Sequence, residues 1–394
     1  MKRFTLLWAI VAAWVVSACV RDTAFVTMVP LPQAQSTNSL APNLFVAGDS
    51  LFMSWLQTET EQGTSLWCSR WDGSTWTDPW SASSGERWVA SDLDLPSVLV
   101  HPAGTAAAWL ERIGGSRHAY GVKVAWLRQE RPAPDPAWLH TDTSECEHGF
   151  ASFVSADSLV QAVWLDGRET LAGGATTLRT AHLSPDGQIQ DETVLDPRVC
   201  DCCPTASVRC TDGSLVVAYR DRSPEDVRDI SIVRLADGEW SAPRTVNRDE
   251  WKIAGCPVNG PALAASDSLL ALAWFALSGG VDPSVQVVFS RNSGESFGAP
   301  IRVDRRHAEG RVDVTFLADG RALVVWLETS DSASILWARP VAASGAPDSA
   351  RIVTEALPGG LSGIPTVVAR GRDVVVAWTE SGDAPRVRTA TLRF

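Results

Sequence analysis

The densest group of reactive side chains in the sequence is a cysteine cluster near its middle. Cys200, Cys202 and Cys203 lie within four residues of one another, and Cys256 follows further along the chain. Thiolates and imidazoles are ligands that copper(I) and zinc prefer. Cys200, Cys202, Cys203 and Cys256, together with His148, therefore form a candidate site for copper or zinc.

The same cysteines have two other interpretations. In an exported protein, cysteines usually form disulfides, and the pairing expected here joins Cys256 to either Cys200 or Cys202. A redox-active pair is the third interpretation, whereas a vicinal bridge between Cys202 and Cys203 would be strained. Seven thiols remain if Cys19 is set aside, so at least one is unpaired or binds something else.

Charged side chains accompany the cysteines along the same part of the chain. The candidate ligand-binding residues are Arg168, Arg179, Arg220, Asp221, Arg222, Arg228, Asp229 and Asn259. Clustered arginines suit the carboxylate of a small molecule or of a sugar acid. For five of these residues the alternative is a set of ion pairs that brace the loops, each contributing about 1 kcal/mol or less. They are Arg220, Asp221, Arg222, Arg228 and Asp229. The residue pattern leaves both interpretations open.

These residues are positioned by a repeat that runs through the chain. Seven short apolar runs each end in an aromatic residue, namely Trp55, Trp109, Trp164, Tyr219, Trp274, Trp326 and Trp378. The spacings between them are 54, 55, 55, 55, 52 and 52 residues. A fixed period of this size indicates a repeat architecture. Because an aromatic side chain buries a large area, we expect each one to pack between neighbouring repeats.

Each repeat predicts four short strands separated by Gly, Asp and Pro turns, without a helical period. Four strands in this length form one blade of a β-propeller. The sequence therefore predicts an all-β propeller of seven four-stranded blades, with six as the alternative. The last repeat lacks a fourth strand, and residues 24–29 are predicted to supply it and to close the ring. Cys68 and Cys210 fall within predicted strands, where we expect buried, inert thiols.

Two segments resemble a motif of a known propeller family. Residues 290–297, Ser-Arg-Asn-Ser-Gly-Glu-Ser-Phe, resemble the Asp box of sialidase-like (BNR-repeat) propellers, with Asn292 in place of the aspartate. Residues 69–76 are a looser copy, in which Asp72 is shifted by one position. The resemblance implies that these boxes are structural turns between the third and fourth strands. They indicate the fold rather than the activity.

The resemblance also implies where the reactive residues meet. In such propellers the first strand of each blade lines a central channel, and the loop entering it lies on the same face as the loop leaving the second strand. The entering loops of five consecutive blades carry Asp92 and Asp94, Cys146 and His148, Cys200 to Cys203, Cys256, and His307. A ligand site is therefore expected at the channel mouth of blades 3–5.

Three functions are compatible with such a site. The first is binding of a carboxylate, a sugar acid or a metal ion. The second is a sialidase-type exo-glycosidase, in which Asp166 or Asp221 would be the acid. A sialidase also needs a tyrosine nucleophile, but only Tyr120 and Tyr219 exist and Tyr219 occupies a packing position. The third is a platform for a partner protein, with the cysteines in structural disulfides.

The amino terminus predicts export. A cationic start at residues 1–3 precedes an apolar run too short for a transmembrane helix. Residues 16–19, Val-Ser-Ala-Cys, resemble a bacterial lipobox, in which Cys19 would carry the lipid anchor; an ordinary cleaved signal is the alternative. We therefore expect a signal peptide at 1–18, a tether with the ring-closing strand at 19–35 and the propeller at 36–394.

Localisation and charge limit the partners. With Val20 after the lipidated cysteine, the outer membrane is the expected location in a Gram-negative cell, with the lipid anchor as the only membrane contact. Removal of residues 1–18 takes away Lys2 and Arg3, so the formal charge changes from −12 to −14. Such an acidic domain is a poor partner for nucleic acid or for an anionic membrane surface.

Overall fold

The chain forms a ring of seven β-sheets. The computed structural model describes residues 25–394 apart from 33–37, 60–62, 103, 117, 129–130, 133–135, 157–158 and 268. The predicted signal peptide and Cys19 lie outside these described residues. Each sheet is antiparallel and is built from consecutive strands, apart from one strand supplied by the amino-terminal segment. This confirms the seven-bladed propeller and excludes the six-bladed alternative.

The strands follow the order that the repeats predict. Blades 1–3 contain β2 (Ser39–Ala47), β3 (Ser50–Glu59), β4 (Gly63–Arg70) and β5 (Trp80–Gly85); β6 (Ser97–His101), β7 (Gly104–Arg112), β8 (Tyr120–Arg128), β9 (Arg131–Pro132) and β10 (Ala137–Trp138); and β11 (His148–Ala156), β12 (Leu159–Asp166), β13 (Thr177–Leu183) and β14 (Ile189–Asp196). Blades 4 and 5 contain β15 (Ala206–Arg209), β16 (Leu215–Arg220), β17 (Ile230–Ala236), β18 (Glu239–Trp240) and β19 (Arg244–Thr245); and β20 (Ala262–Ala265), β21 (Leu270–Ser278), β22 (Asp282–Ser290) and β23 (Ile301–Arg302). Blades 6 and 7 contain β24 (Ala308–Phe316), β25 (Ala322–Thr329), β26 (Ser334–Val341) and β27 (Arg351–Ala356); and β28 (Leu361–Arg370), β29 (Asp373–Glu380), β30 (Arg386–Leu392) and β1 (Val26–Val29).

The amino-terminal strand closes the ring as predicted. Strand β1 pairs antiparallel with β30, from Val26 opposite Leu392 to Val29 opposite Thr389. It thereby becomes the outer strand of blade 7, whose other three strands come from the carboxyl terminus. Because the two ends of the chain share one sheet, the ring cannot open without breaking this pairing.

The repeated aromatic residues pack between blades. All seven lie on the second strand of their blade, and each is at most 3% exposed. Each also joins a hydrophobic cluster of the preceding blade: Trp274, for example, packs with Val216 and Ile232 of blade 4, and Trp55 packs with Val375 of blade 7. The predicted packing role is confirmed.

The fourth strand is the irregular part of the blades. In blade 4 it is divided into β18 and β19, which both pair with β17, and Pro243 between them has no N–H to donate to the ladder. In blade 5 the turn before the fourth strand is held by Asn292, whose Oδ1 accepts hydrogen bonds from Ser290 Oγ at 2.9 Å and Ser296 N at 3.0 Å. In blade 1, Asp72 Oδ1 accepts from Ser74 N and Thr75 N, both at 2.8 Å.

The first strands of all seven blades surround a central cavity of about 650 Å³. The predicted lining of the channel is thus confirmed. Two carboxylic acids line the central cavity, the buried Asp94 and the half-buried Asp313; loss of hydration raises the pKa of each to about 7. The described part of the chain contains one short 3-10 helix, Arg168–Ala172, and no helix long and apolar enough to cross a membrane.

Candidate functional site

The loops around blade 3 converge on the carboxylate of Asp166, the last residue of β12. Asp166 is fully buried and accepts hydrogen bonds from Trp164 Nε1 at 2.9 Å and from Arg168 Nε and Nη2 at 2.7 Å each. Its Oδ2 also lies 3.1 Å from His148 Nδ1. Burial alone would raise the pKa of Asp166, but the nearby imidazole of His148 and the hydrogen bonds from Arg168 hold it well below its usual range. Asp166 is therefore ionised at neutral pH and is unsuited to donate a proton.

His148 links this carboxylate to a second group of donors. Its Nε2 lies 3.1 Å from Asp142 Oδ2 and 3.2 Å from Cys146 Sγ, and Cys146 Sγ lies 3.7 Å from the same Asp142 oxygen. The imidazole is fully buried and stacks on His140, with ring centroids 3.9 Å apart. Burial lowers the pKa of His140 to about 4, so this neighbouring ring is neutral at physiological pH.

Arg168 and Arg179 have internal partners. Besides Asp166, Arg168 pairs with Glu192 at 2.7 Å, and Arg179 pairs with Glu192 at 3.1 Å and with Glu169 at 3.5 Å. These contacts brace the loops of blade 3. Neither guanidinium lines the central cavity.

The remaining predicted ligand-binding residues of blades 4 and 5 also bond within the protein. Arg220 is 1% exposed and donates to three backbone carbonyls, those of Asn259 at 2.8 Å, Arg228 at 2.6 Å and Phe275 at 2.7 Å. Arg222 pairs with Asp226 at 2.9 Å. Blades 4 and 5 are thus joined by a buried guanidinium.

The remaining predicted ligand-binding residues, Asp221, Asp229 and Asn259, also form hydrogen bonds within the protein. Asp221 accepts from Arg222 N at 2.6 Å and from Ser231 Oγ at 2.9 Å, and Asp229 accepts from Trp251 N at 3.3 Å. Burial raises the pKa of both carboxyls. Asn259 bridges blades 5 and 6, since it accepts from Arg311 N at 2.8 Å and donates to Glu309 O at 3.1 Å. Asn259 also lines the channel.

The four clustered cysteines meet at one place. Cys202 and Cys256 form a disulfide, which is one of the two predicted pairings. Cys200 Sγ lies 3.2 Å from Cys203 Sγ and 3.9 Å from Cys202 Sγ. The hydrogen bond with Cys203 and the nearby guanidinium groups lower the pKa of Cys200, and burial raises the pKa of Cys203.

Arg228 covers this cluster. Its Nη1 lies 3.1 Å from Cys200 Sγ and 3.2 Å from Asp201 Oδ1. The guanidinium is therefore placed between a buried sulfur and an acidic side chain at the surface. Such a cation stabilises a thiolate at Cys200.

The structure divides the predicted metal-ligand set. His148 lies with Asp142 and Cys146, whereas Cys200, Cys202 and Cys203 form a separate group among the described residues. The predicted gathering of the other entering loops is also incomplete, because His307 lines another surface cleft with Arg302, Arg305 and Arg306. Cys68 is buried within β4, but Cys210 lies just after β15 rather than inside it.

A surface cleft of about 310 Å³ over blade 3 lies between these two groups. It is lined by side chains from blades 2, 3 and 4, including His118, Tyr120, Glu145, Cys146, Glu147 and Asp201. Burial, reinforced by the charge of Asp201 and opposed by His118, raises the pKa of Glu147. Among the residues that line the cleft, three are acidic and none is Lys or Arg.

Sequence reasoning missed most of this cleft. Tyr120, Glu145 and Glu147 belong to none of the predicted site sets. His140 and Asp142 lie on the entering loop of blade 3, but only Cys146 and His148 of this segment were predicted as site residues. One available signal was the dense sequence from His140 to His148, which contains six His, Cys, Asp or Glu residues in nine positions. Glu147 of this segment pairs with Tyr120 of blade 2, and that contact is visible only once the ring has placed the two blades side by side.

Comparison with known proteins agrees with this fold. No family model and no curated protein sequence matches the chain. A PL25 ulvan lyase, described as a new family of polysaccharide lyase, matches with a TM-score of 0.56 and 12% identity over 91% of this chain and 94% of that one. The polysaccharide lyase Uly1 matches with a TM-score of 0.52 and 10% identity over 96% and 94%. The NanB sialidase of Streptococcus pneumoniae matches with a TM-score of 0.48 and 12% identity over 94% and 71%.

The chain is therefore a seven-bladed β-propeller. Its solved structural neighbours include polysaccharide lyases and sialidases. At these identities the likeness to the two lyases establishes a shared fold and nothing about activity.

Proposed function

We propose that this protein is a carbohydrate-active enzyme of the cell envelope, a glycoside hydrolase whose active site is the cleft over blade 3. The observation that carries the proposal is that two carboxylates from neighbouring blades, Glu147 and Asp201, line one cleft. Glycoside hydrolases generally use such a pair on opposite sides of the bond that is cleaved. The fold shared with polysaccharide lyases is compatible with a glycan ligand.

Each side chain of the cleft has a role in this proposal. Glu147 donates a proton to the leaving oxygen, and His118, whose Nδ1 lies 3.9 Å from Glu147 Oε1, exchanges that proton with solvent. Asp201, held by Arg228, activates the attacking water or attacks the sugar itself. Tyr120, which also lines the cleft, supplies an aromatic ring for contact with the sugar.

The charge of the cleft selects the substrate class. A uronic or sialic acid would bring its carboxylate next to Glu145, Glu147 and Asp201, and no Lys or Arg among the lining residues would neutralise it. Arg168, Arg179 and Arg220 have internal partners instead. We therefore propose a neutral or amino sugar as substrate, in place of the sugar acid that the arginine pattern predicted.

Reporter glycosides test this proposal. The purified protein is incubated with neutral, amino-sugar, uronide and sialoside reporters, and both reducing ends and unsaturated products are measured. We expect hydrolysis of a neutral or amino-sugar reporter, and a loss of at least about 100-fold in Glu147→Gln and in Asp201→Asn. Glu225→Gln is the control, because Glu225 is exposed on a nearby loop outside the cleft. Unsaturated products, or activity unchanged in both cleft variants, would contradict the proposal.

A second candidate function is soft-metal binding by the cysteine cluster. Cys200 Sγ and Cys203 Sγ are 3.2 Å apart and buried, and Arg228 lies beside them. With Cys202 and Cys256 in a disulfide, two thiols remain, which suits copper(I) better than four-coordinate zinc. Anaerobic titration with copper(I) against a competing chelator tests this: one equivalent should bind and be lost in Cys200→Ser/Cys203→Ser. Equal binding by that variant would rule it out.

A further inference from the structure

Three side chains of types that can ligate a metal ion lie together at the entrance to blade 3, in a group separate from the cysteine cluster. Asp142 and Cys146 lie on the entering loop, and His148 is the first residue of β11. The distances between their donor atoms are 3.1 Å from His148 Nε2 to Asp142 Oδ2, 3.2 Å from His148 Nε2 to Cys146 Sγ and 3.7 Å from Cys146 Sγ to Asp142 Oδ2. One carboxylate oxygen, one sulfur and one imidazole nitrogen therefore face a single point.

The other ring nitrogen of His148 lies close to a buried carboxylate. Its Nδ1 lies 3.1 Å from Asp166 Oδ2, and Asp166 is itself fixed by Trp164 and by two hydrogen bonds from Arg168. In metal sites, a ligating histidine usually donates its second N–H to a carboxylate, which sets the tautomer and the ring orientation. The stacked ring of His140 further restricts rotation of His148.

From this geometry we infer that Asp142, Cys146 and His148 bind a zinc ion, with Asp166 as a positioning residue. A carboxylate, a thiolate and a neutral imidazole are common zinc ligands, and three protein ligands leave a fourth position for water. The two negative charges of Asp142 and Cys146 balance the charge of Zn²⁺. Cys146 also lines the cleft, so the fourth position is accessible to a molecule bound there.

This site is chemically distinct from the cysteine cluster. It contains one sulfur with nitrogen and oxygen donors, which favours zinc, whereas the cysteine cluster offers sulfur and, among the residues that the structure describes, no imidazole in the same group. The inference also stands apart from glycoside hydrolysis, because zinc binding is measured without any sugar. If the protein binds zinc but cleaves no glycoside, the proposed hydrolase activity is wrong and the inferred metal site still stands.

Metal analysis and cobalt substitution test the inference. The full chain is purified without chelator and its zinc content is measured per chain, and Co²⁺ is then exchanged into the same site. We expect one zinc per chain and, with Co²⁺, a sulfur-to-cobalt charge-transfer band together with the visible bands of a four-coordinate ion. Cys146→Ser and His148→Gln should lose the band and the bound zinc. Cys200→Ser/Cys203→Ser should keep both.

Two further variants distinguish loss of a ligand from loss of folding. Asp142→Asn changes a partly exposed loop side chain, and we expect weaker zinc binding with an unchanged near-ultraviolet circular dichroism spectrum. Asp166→Asn should keep the charge-transfer band but weaken zinc affinity about 10- to 100-fold, because the ligands remain and only their support is lost. Zinc retained by folded Asp142→Asn and Cys146→Ser, or rapid alkylation of Cys146 in the presence of excess zinc, would overturn the inference.

Discussion

Asp166 and Arg168 are joined by two hydrogen bonds of 2.7 Å each, although only one residue separates them in the chain. The carboxylate is fully buried, whereas the guanidinium reaches partly to the surface. The pair therefore connects the end of β12 to the loop that follows it, beside both the cleft and the buried His148.

Loss of this cation is expected to destabilise the propeller. In Arg168→Met, Asp166 stays buried without its main counter-charge, and we expect the free energy of unfolding to fall by about 3 kcal/mol. Arg222→Met is the matched control: its partner Asp226 is partly exposed, so the loss should stay below about 1 kcal/mol. Urea denaturation followed by tryptophan fluorescence measures both, and equal losses would contradict the prediction.

Ring closure by β1 predicts that substitutions at two adjacent residues, Val29 and Met28, differ strongly in their effect on stability. Val29 is 7% exposed and packs with Leu31 and Leu44, whereas Met28 is 51% exposed. Val29→Asp should cost about 3 kcal/mol, because it buries an unpaired charge at the seam of the ring. Met28→Asp should change the stability by about 0.5 kcal/mol or less. Thermal unfolding of the two variants checks this, and similar melting temperatures would argue against closure by this strand.

The disulfide joins two blades and should contribute strongly to stability. It links Cys202 to Cys256 across 54 residues, for which chain entropy gives at most about 4 kcal/mol. Cys256→Ser should therefore lower the free energy of unfolding by about 2–4 kcal/mol, and reduction of the native protein should have the same effect. A non-reducing peptide map should contain the Cys202–Cys256 pair. Recovery of Cys202 and Cys256 as free thiols would contradict the disulfide.

Asp313 on the channel wall predicts a pH dependence of stability. Burial raises its pKa from 3.8 to about 7, although the backbone N–H groups of Val367 and Val314 donate to it. The folded state then holds a proton that the unfolded state releases, so stability falls as the pH rises from about 4 to 7. In Asp313→Asn the slope of the free energy of unfolding against pH should become less steep between pH 4 and 7, by at most about 1.4 kcal/mol per pH unit. Asp331→Asn, at an exposed site, should leave the slope unchanged.

Export and lipidation are tested at the amino terminus. We propose that Cys19 is the acylated first residue of the mature protein, as the Val-Ser-Ala-Cys sequence predicts. The full-length protein expressed in a Gram-negative host should then fractionate with the outer membrane and incorporate labelled palmitate, because several acyl chains together anchor a protein stably. Cys19→Ser should abolish both. An unlabelled protein released to the soluble fraction in both forms would contradict the proposal.

The sequence alone determined the architecture of this protein. Seven aromatic residues at a nearly constant spacing, with alternating apolar residues before each, predicted seven blades, the second strand of each blade and the packing between blades; the structure excluded the alternative of six blades. The segment at residues 24–29, which belongs to no repeat, and the missing fourth strand of the last repeat predicted the closure of the ring, which the pairing of β1 with β30 confirms. These features are periodic or local, so they can be read without coordinates.

Only the tertiary structure decided which reactive side chains meet. Repeat counting placed Cys146, His148 and the cysteine cluster on entering loops of one face, but a count along the chain does not give the side-chain direction within an irregular loop. The ring separates His148 from Cys200 and places it beside Asp142, and it brings Asp201 of blade 4 to the same cleft as Tyr120 of blade 2. The partners of Arg168 and Arg220 depend in the same way on close contacts between loops and blades, because burial and hydrogen bonding, rather than residue type, decide whether a charged group is free to bind a ligand.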